Sequence, residues 1–206
     1  MKVAILCAAK RTAYRDIPDL EIYDEKRDAR TFSGGMPVVA HPPCRRWTRY
    51  GMAMMKARLT RYGIETPEEE VKAERQLGLF CASQVVQWGG ILEQPAGSKL
   101  FAAAGLPLPG SPQSPESFSL HVWQSWWGYP VKKGTWLYFR GISQDAIEIP
   151  FCLWNPPPGQ MWYWYNRGKG SGGANAHIRS MTVPLLANWL VDLARRSHVL
   201  QTGISQ

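Results

Sequence analysis

The sequence lacks the features of a membrane protein, a disulfide framework or a zinc site. No apolar run approaches the roughly 18 residues that span a bilayer, and the N-terminal apolar run is too short for a secretory signal. The cysteines are scattered, with no CxxC pair and no Cys/His cluster, at Cys7, Cys44, Cys81 and Cys152. We therefore expect a cytoplasmic protein with no membrane partner and no metal.

The chain also lacks internal repeats and the length of a multidomain protein. Its 206 residues are enough for one domain with a sizeable core. Hydrophobic residues make up 45% and charged residues 19%, a globular composition. Lysine and arginine number 24 against 16 acidic residues, and this net charge of +8 favours an anionic partner such as nucleic acid. We predict a single domain over residues 1–206.

Short apolar runs predict the strands of an α/β fold. Such runs lie at residues 3–8, 20–23, 37–40, 91–92, 136–139 and 147–153. Strands separated by helices predict a mostly parallel sheet, with ligands bound at the carboxyl ends of its strands. Residues 105–117 form a predicted loop, and residues 142–178 a small aromatic and glycine-rich insertion.

Two helices have clear start signals. Thr66, Pro67 and Glu69 supply a cap residue, a first-turn proline and a capping-box glutamate for a helix that should end near Trp88. A last helix is predicted to begin near Thr182 or Pro184, because apolar residues follow at helical spacing.

Cys44 is the first candidate for chemistry. It follows a buried strand and the pair Pro42-Pro43, which would place its thiol at a rigid turn on the functional edge of the sheet. The neighbouring arginines, Arg45, Arg46 and Arg49, would favour the nucleophilic thiolate. The alternative is a buried packing cysteine.

Glu93 is the second candidate, because it also ends a buried strand and is followed closely by a proline. Its carboxylate would then face the same crevice as the thiol. The alternative is an exposed loop glutamate. A thiol and an acid on two equivalent turns form a more specific pair than either residue alone.

These motifs resemble those of the DNA cytosine-C5 methyltransferases. Residues 43–51 keep the spacing of the family loop Pro-Cys-Gln-x-Phe-Ser-x-x-Gly, and residues 93–95 look like its Glu-Asn-Val or Glu-Asn-Pro motif. Residues 128–135, followed by a strand, look like Gly-x-Pro-Gln-x-Arg-x-Arg, and residues 183–187 look like Val-Pro-Pro-x-Leu-Ala. The resemblance implies a Rossmann-like methyltransferase fold.

The resemblance also implies a reaction. Cys44 would add to C6 of cytosine in DNA while Glu93 hydrogen-bonds N3 and the exocyclic amine. Lys133 and Thr135 would stand at the positions of the family's later arginines. In duplex DNA the base must leave the stack. A compact relative of this kind would suit a bacteriophage that modifies its own DNA.

The implied cofactor is S-adenosylmethionine. The positions that match the family's cofactor motifs are Ala8, Asp24, Pro42 and Val183. The family's Phe-x-Gly-x-Gly turn after the first strand is missing, since residues 7–13 contain no glycine, so the cofactor half looks reduced. Asp24 would bind a ribose; the alternative is a turn residue.

A DNA partner would need basic and aromatic contacts. Candidates for phosphate binding are Arg45, Arg46 and Arg49, joined by Arg167 and Lys169 beside an aromatic run at 162–165. The alternatives are a solvated basic face and core aromatics. Residues 142–178 are too few for a target-recognition domain, which predicts short or relaxed sequence preference.

Two further functions stay open. One is pyrimidine-C5 modification of a free nucleotide or with another one-carbon donor, which the missing glycine turn suggests. The other is a non-catalytic nucleic-acid-binding protein on a decayed methyltransferase scaffold. A thiol-protease-like site is weaker, because His41 is too close in sequence to Cys44 to judge as a base, and His121 and His177 have no supporting motif.

Overall fold

A six-stranded sheet forms the centre of the protein. The computed structural model describes residues 1–10, 12–129, 133–149 and 182–197. The order of the strands across the sheet is β2-β1-β3-β4-β6-β5. Their bounds are β1 Val3–Leu6, β2 Leu20–Ile22, β3 Val38–Ala40, β4 Gly90–Pro95, β5 Ser117–Trp123 and β6 Gly134–Arg140.

The sheet is mixed. Strands β2, β1, β3 and β4 pair in parallel, whereas β6 pairs antiparallel with both β4 and β5. Among these six strands β6 therefore runs against the other five. The predicted α/β class is confirmed, but the expected mostly parallel sheet includes an antiparallel part that apolar runs alone do not reveal.

Helices cover both faces of the sheet. Their bounds are α1 Arg49–Tyr62, α2 Glu68–Trp88, α3 Leu100–Ala103 and α4 Pro184–Arg195. One apolar core joins α4 to Ile5, Val39 and Ile91. The other joins α2 to the alternate residues of the same strands, such as Leu6 and Leu92. This alternation follows from the two-residue period of a strand and explains why the central strands are apolar throughout.

Several expectations from the sequence need correction. Helix α2 begins at Glu68, and no side chain caps it, so the predicted capping box at Thr66 is wrong. The first turn instead carries three glutamates, Glu68, Glu69 and Glu70. Their negative charges stabilise the helix because its N-terminus is the positive end of the helix dipole.

Other differences concern whole elements. Strand β5 and helix α1 appear where the sequence predicted neither. Residues 147–149 are not in a strand, and the remainder of the strand predicted there lies outside the described residues, as does most of the 142–178 insertion. None of the helices in the described ranges is long and apolar enough to cross a membrane.

Candidate active site

A cavity of about 530 Å³ opens at the carboxyl ends of the parallel strands. Because β1, β3 and β4 are adjacent and parallel, the segments that follow them meet at this edge. Six of the residues predicted from the sequence line the cavity together: Ala8, Asp24, Pro42, Cys44, Glu93 and Lys133. The structure thus brings together the thiol, the acid and most of the predicted cofactor positions.

The turn that carries Cys44 is built on backbone hydrogen bonds. The Cys44 carbonyl accepts from the Trp47 and Thr48 amides at 3.0 and 3.1 Å, and from the Thr48 hydroxyl at 3.1 Å. The Thr48 hydroxyl in turn accepts from the Gly51 amide at 3.2 Å and so caps α1. Cys44 is therefore held between the end of β3 and the start of α1.

Gln94 joins this turn to the next strand. Its side-chain amide donates to the Pro42 carbonyl at 2.6 Å, and its oxygen accepts from the Ser98 hydroxyl at 3.0 Å. Gln94 is buried, so both bonds form away from solvent. In the DNA cytosine-C5 methyltransferases, whose motif these residues resemble, this position is asparagine. Here Gln94 fixes the Cys44 turn relative to Glu93.

Glu93 is a buried carboxylate with a partner on each oxygen. Oε1 accepts from Gln124 Nε2 at 3.0 Å, and Oε2 lies 3.2 Å from His41 Nδ1. Burial by itself would raise the pKa of Glu93, but the His41 hydrogen bond, the charge of Lys133 and the Gln124 hydrogen bond outweigh it. The pKa of Glu93 therefore lies below its usual value, and the group is ionised at neutral pH.

The Cys44 thiol is exposed in the cavity but is not activated by the arginines. The surrounding cavity wall desolvates it and the Glu93 charge repels a thiolate, so its pKa is raised; Lys133 and Arg45 oppose this only in part. Of the arginines expected to favour the thiolate, Arg45 does so, but desolvation and the Glu93 charge outweigh its effect on the pKa of Cys44.

Comparison with models of known protein families, with curated proteins and with solved structures finds no match to this chain.

Glutamates of α2 engage two of the three arginines near Cys44. Arg46 is only 3% exposed, and its Nε lies 2.6 Å from Glu74 Oε2, with Nη2 3.3 Å from Glu70. A buried ion pair of this kind cannot present Arg46 to a phosphate, which corrects the predicted DNA contact. Arg45 also pairs with Glu74 but is 54% exposed. Arg49 is exposed at the start of α1.

The remaining predicted residues lie around or outside the cavity. Thr135 is fully buried in β6 and its hydroxyl accepts from Gln124 Nε2 at 3.0 Å, so it contacts Glu93 only through Gln124. Val183 is buried directly before α4, and its neighbour Thr182 lines the cavity instead. Arg167 and Lys169 lie outside the described residues.

The end of β1 takes an unusual backbone conformation. Cys7 has φ +59°, in the left-handed region that favours glycine, and the Ala8 amide donates to the Tyr23 carbonyl at 2.9 Å. A tight turn thus forms here without the glycines of the Phe-x-Gly-x-Gly turn that follows the first strand in the DNA cytosine-C5 methyltransferases. The cavity extends from this turn to Cys44, and its volume lies within the range of small-molecule sites.

Asp24 supports the alternative of a turn residue rather than a ribose ligand. Its Oδ1 accepts from the Lys26 and Arg27 amides at 2.9 and 3.3 Å, and its Oδ2 accepts from Arg15 at 2.7 Å. These bonds lower the pKa of Asp24, since each favours the carboxylate. Both carboxylate oxygens are therefore engaged within the chain, although Asp24 lines the cavity.

Sequence reasoning did not connect Glu93 with three residues that the structure places in its hydrogen-bond network: His41, Tyr14 and Gln124. His41 could have been found, since it is the first polar residue after a buried strand, as Glu93 is near the end of β4. Gln124 is 31 residues from Glu93 and no local pattern links them. Within the described ranges, no group of three His, Cys, Asp or Glu side chains is arranged to hold a metal.

Proposed function

We propose that this protein modifies C5 of a pyrimidine in DNA, with cytosine-C5 methylation as the reaction, through a covalent adduct on Cys44 assisted by Glu93. The observation that carries the proposal is the cavity itself. A thiol and a buried carboxylate from the ends of two adjacent parallel strands line it together, close enough for the Glu93 charge to affect Cys44. The motif resemblance supports the same pair.

The chemistry follows from these two groups. C5 of cytosine is a poor nucleophile, and addition of the Cys44 thiolate to C6 moves the electron pair of the C5–C6 double bond towards C5. Ionised Glu93 accepts a hydrogen bond from the exocyclic amine, and a proton taken up by Glu93 would let it donate to N3. C5 then attacks the electrophilic carbon of a donor and displaces the donor's leaving group. Transfer of the C5 proton to a base restores the double bond and expels the thiolate.

Because the pKa of Cys44 is raised, substrate binding is expected to help its thiol to ionise. Lys133 lines the cavity and its positive charge favours the ionised forms of both Cys44 and Glu93. A pyrimidine that donates its amine protons to Glu93 would withdraw negative charge from beside the thiol. S-adenosylmethionine, when bound, would supply an electrophilic methyl group, and Cys7, Ala8 and Pro42 are the cavity residues that would hold it.

Helix α1 supports DNA as the substrate rather than a free nucleotide. It begins five residues after Cys44 and contains four cations and no acidic residue: Arg49, Lys56, Arg58 and Arg61. The ion pairs formed by the described residues include none of these four side chains. Exposed Tyr50, Met52 and Met54 lie among them. Cations beside aromatic and apolar side chains are typical of a surface that binds a phosphate backbone.

The test is covalent trapping on an oligonucleotide that carries 5-fluorocytosine, because fluorine at C5 prevents release of the enzyme. We expect a denaturation-resistant complex that requires S-adenosylmethionine and disappears in Cys44→Ala. Cys152→Ala is the matched control, since it removes a different thiol.

Other outcomes select the alternatives. Trapping on a free 5-fluoropyrimidine nucleotide but not on DNA would favour a nucleotide-modifying enzyme. DNA binding without a complex under any donor would leave a non-catalytic binding protein. If calorimetry detects no binding of S-adenosylhomocysteine, the donor is a different one-carbon compound.

A further inference from the structure

His41 links Glu93 to a buried tyrosine, and the reaction proposed above assigns it no role. Its Nδ1 lies 3.2 Å from Glu93 Oε2, and its Nε2 lies 2.7 Å from the hydroxyl of Tyr14. Tyr14 belongs to a short 3₁₀ helix, Ala13–Asp16, that follows β1, whereas His41 follows β3. The segments that follow β1 and β3 are therefore joined to Glu93 of β4 by one continuous chain of hydrogen bonds.

The hydrogen bonds determine which ring nitrogen carries the proton. Burial, with a smaller contribution from the Glu93 charge, raises the pKa of Tyr14 well above its usual value, so the hydroxyl keeps its proton and can donate to Nε2. In a singly protonated His41 ring the proton then lies on Nδ1, which donates to Glu93. A doubly protonated ring would also direct Nδ1–H at Glu93. The Nε2–H tautomer alone would set a lone pair of Nδ1 against the carboxylate.

We propose that His41 is a positioning residue that holds Glu93 in its working orientation, and that Tyr14 sets the His41 tautomer required for this. His41 and Gln124 each donate to a different oxygen of Glu93, so rotation of the carboxylate would break one bond or the other. Each oxygen keeps a further lone pair for a bound pyrimidine. The role in orienting Glu93 for catalysis rests on the proposed function; the tautomer does not.

The tautomer can be measured without any activity. Nitrogen-15 NMR distinguishes protonated from unprotonated ring nitrogens, and the sequence has four histidines, so His41→Asn identifies the signal of His41. We expect a proton on Nδ1 of His41 in the whole chain. In Tyr14→Phe, which keeps the buried ring, we expect a mixture of tautomers. A proton on Nε2 of His41 in the unsubstituted protein would overturn the role of Tyr14, and a proton on Nε2 without one on Nδ1 would overturn the whole proposal.

The positioning role is tested by two variants that place an amide differently. Asparagine presents its NH₂ near the position of Nδ1, whereas glutamine reaches towards the position of Nε2. We expect His41→Gln to slow trapping on 5-fluorocytosine DNA about ten- to a hundredfold, since Glu93 loses a donor. The trapping rate of His41→Asn should be at least tenfold higher than that of His41→Gln. Equal trapping rates in the two variants, with both folded by circular dichroism, would contradict the role.

The two proposals fail in different ways. If the unsubstituted protein forms no adduct on any pyrimidine, the proposed function fails, and the NMR measurement still decides whether Tyr14 sets the tautomer of His41. If trapping occurs but His41→Gln leaves its rate unchanged, the proposed function stands and the positioning role of His41 is wrong.

Discussion

Desolvation and the neighbouring Glu93 charge both lower the reactivity of Cys44 by raising the pKa of its thiol. In the proposed reaction Glu93 acts on the same pyrimidine as the thiol, yet its negative charge raises the pKa of that thiol. The site therefore keeps Cys44 largely as an unreactive thiol until something changes the charge beside it. A thiolate that formed freely would be open to oxidation and alkylation, because Cys44 is exposed in the cavity.

This coupling gives the first prediction. Glu93→Gln removes a negative charge, so the pKa of Cys44 should fall and the alkylation of Cys44 should reach half its maximal rate at a lower pH. The measurement is the rate of iodoacetamide labelling at Cys44 across pH, followed by peptide mass spectrometry. Glu25→Gln is the matched control, since Glu25 lines the same cavity and should leave the midpoint unchanged. A midpoint that stays or rises in Glu93→Gln would refute the coupling.

Individual residues of the candidate site could be predicted where a local sequence pattern marks them. Cys44 and Glu93 each follow a buried apolar run and lie within two residues of a proline, and that pattern is visible in the sequence. Their pKa directions were not predictable. The arginines beside Cys44 point in the sequence to a thiolate, but Glu74 engages Arg45 and Arg46 from a helix that begins more than twenty residues later.

At the scale of elements, helix α1 shows the limits of periodicity. It has no apolar stripe, and Gly51 is its single buried residue, so hydrophobic spacing does not indicate it. Its ends explain its formation better: Thr48 caps the first turn and Gly63, with φ +62°, closes the last. Helices α2 and α4, which bury apolar residues against the sheet, were predicted with nearly correct bounds.

The ion pair between Arg46 and Glu74 ties the Cys44 turn to α2. We predict that Glu74→Gln lowers the free energy of unfolding by about 2–3 kcal/mol, because it leaves the buried Arg46 guanidinium with only the more exposed Glu70 as a partner. Urea denaturation would measure this. Glu69→Gln, an exposed residue of the same helix, should change stability by less than about 0.5 kcal/mol. Equal effects in the two variants would show that the pair contributes nothing specific.

Gly78 lets α2 approach the Cys44 turn closely. A Cβ at this position would lie 2.5 Å from the indole nitrogen of Trp47, which is buried. Replacing glycine by alanine inside a helix normally stabilises it, but here we predict that Gly78→Ala costs about 1–3 kcal/mol through overpacking. Ser83→Ala in the same helix is the control. A gain in thermal stability for Gly78→Ala would show that Trp47 moves aside freely.

For the whole molecule, the sequence predicted the α/β class but not the order of strands. Buried apolar runs indicate strands because both faces of the sheet are covered by helices. Pairing between β4 and β6 joins residues that are about 40 to 50 positions apart, from Pro95↔Thr135 to Gly90↔Arg140, and nothing local specifies it. Strand β5, Ser117–Trp123, alternates polar and apolar residues over its first six positions, and its pairing with β6 completes the sheet.

The basic charge of the molecule is expected to act through α1. Lys56→Gln combined with Arg61→Gln should weaken duplex binding and lower the slope of log K against log salt by about 2, if each cation contacts one phosphate. The control combines Lys2→Gln with Arg140→Gln, which removes the same charges at the opposite edge of the sheet. Fluorescence anisotropy at several salt concentrations measures both. The same slope in the two double variants would mean that the net charge, and not α1, drives binding.

The reversed direction of β6 determines which cation the cavity receives. Because Thr135 pairs with Pro95 while Arg140 pairs with Gly90, the beginning of β6 lies beside the end of β4. Lys133, directly before β6, therefore lines the cavity opposite the thiol and the acid. Had the same segment joined the sheet in parallel, Arg140 would end beside Glu93, with a planar guanidinium in place of a flexible ammonium group. An ammonium on a flexible stem can turn towards either anion of the site, whereas a guanidinium presents its donors in one fixed plane.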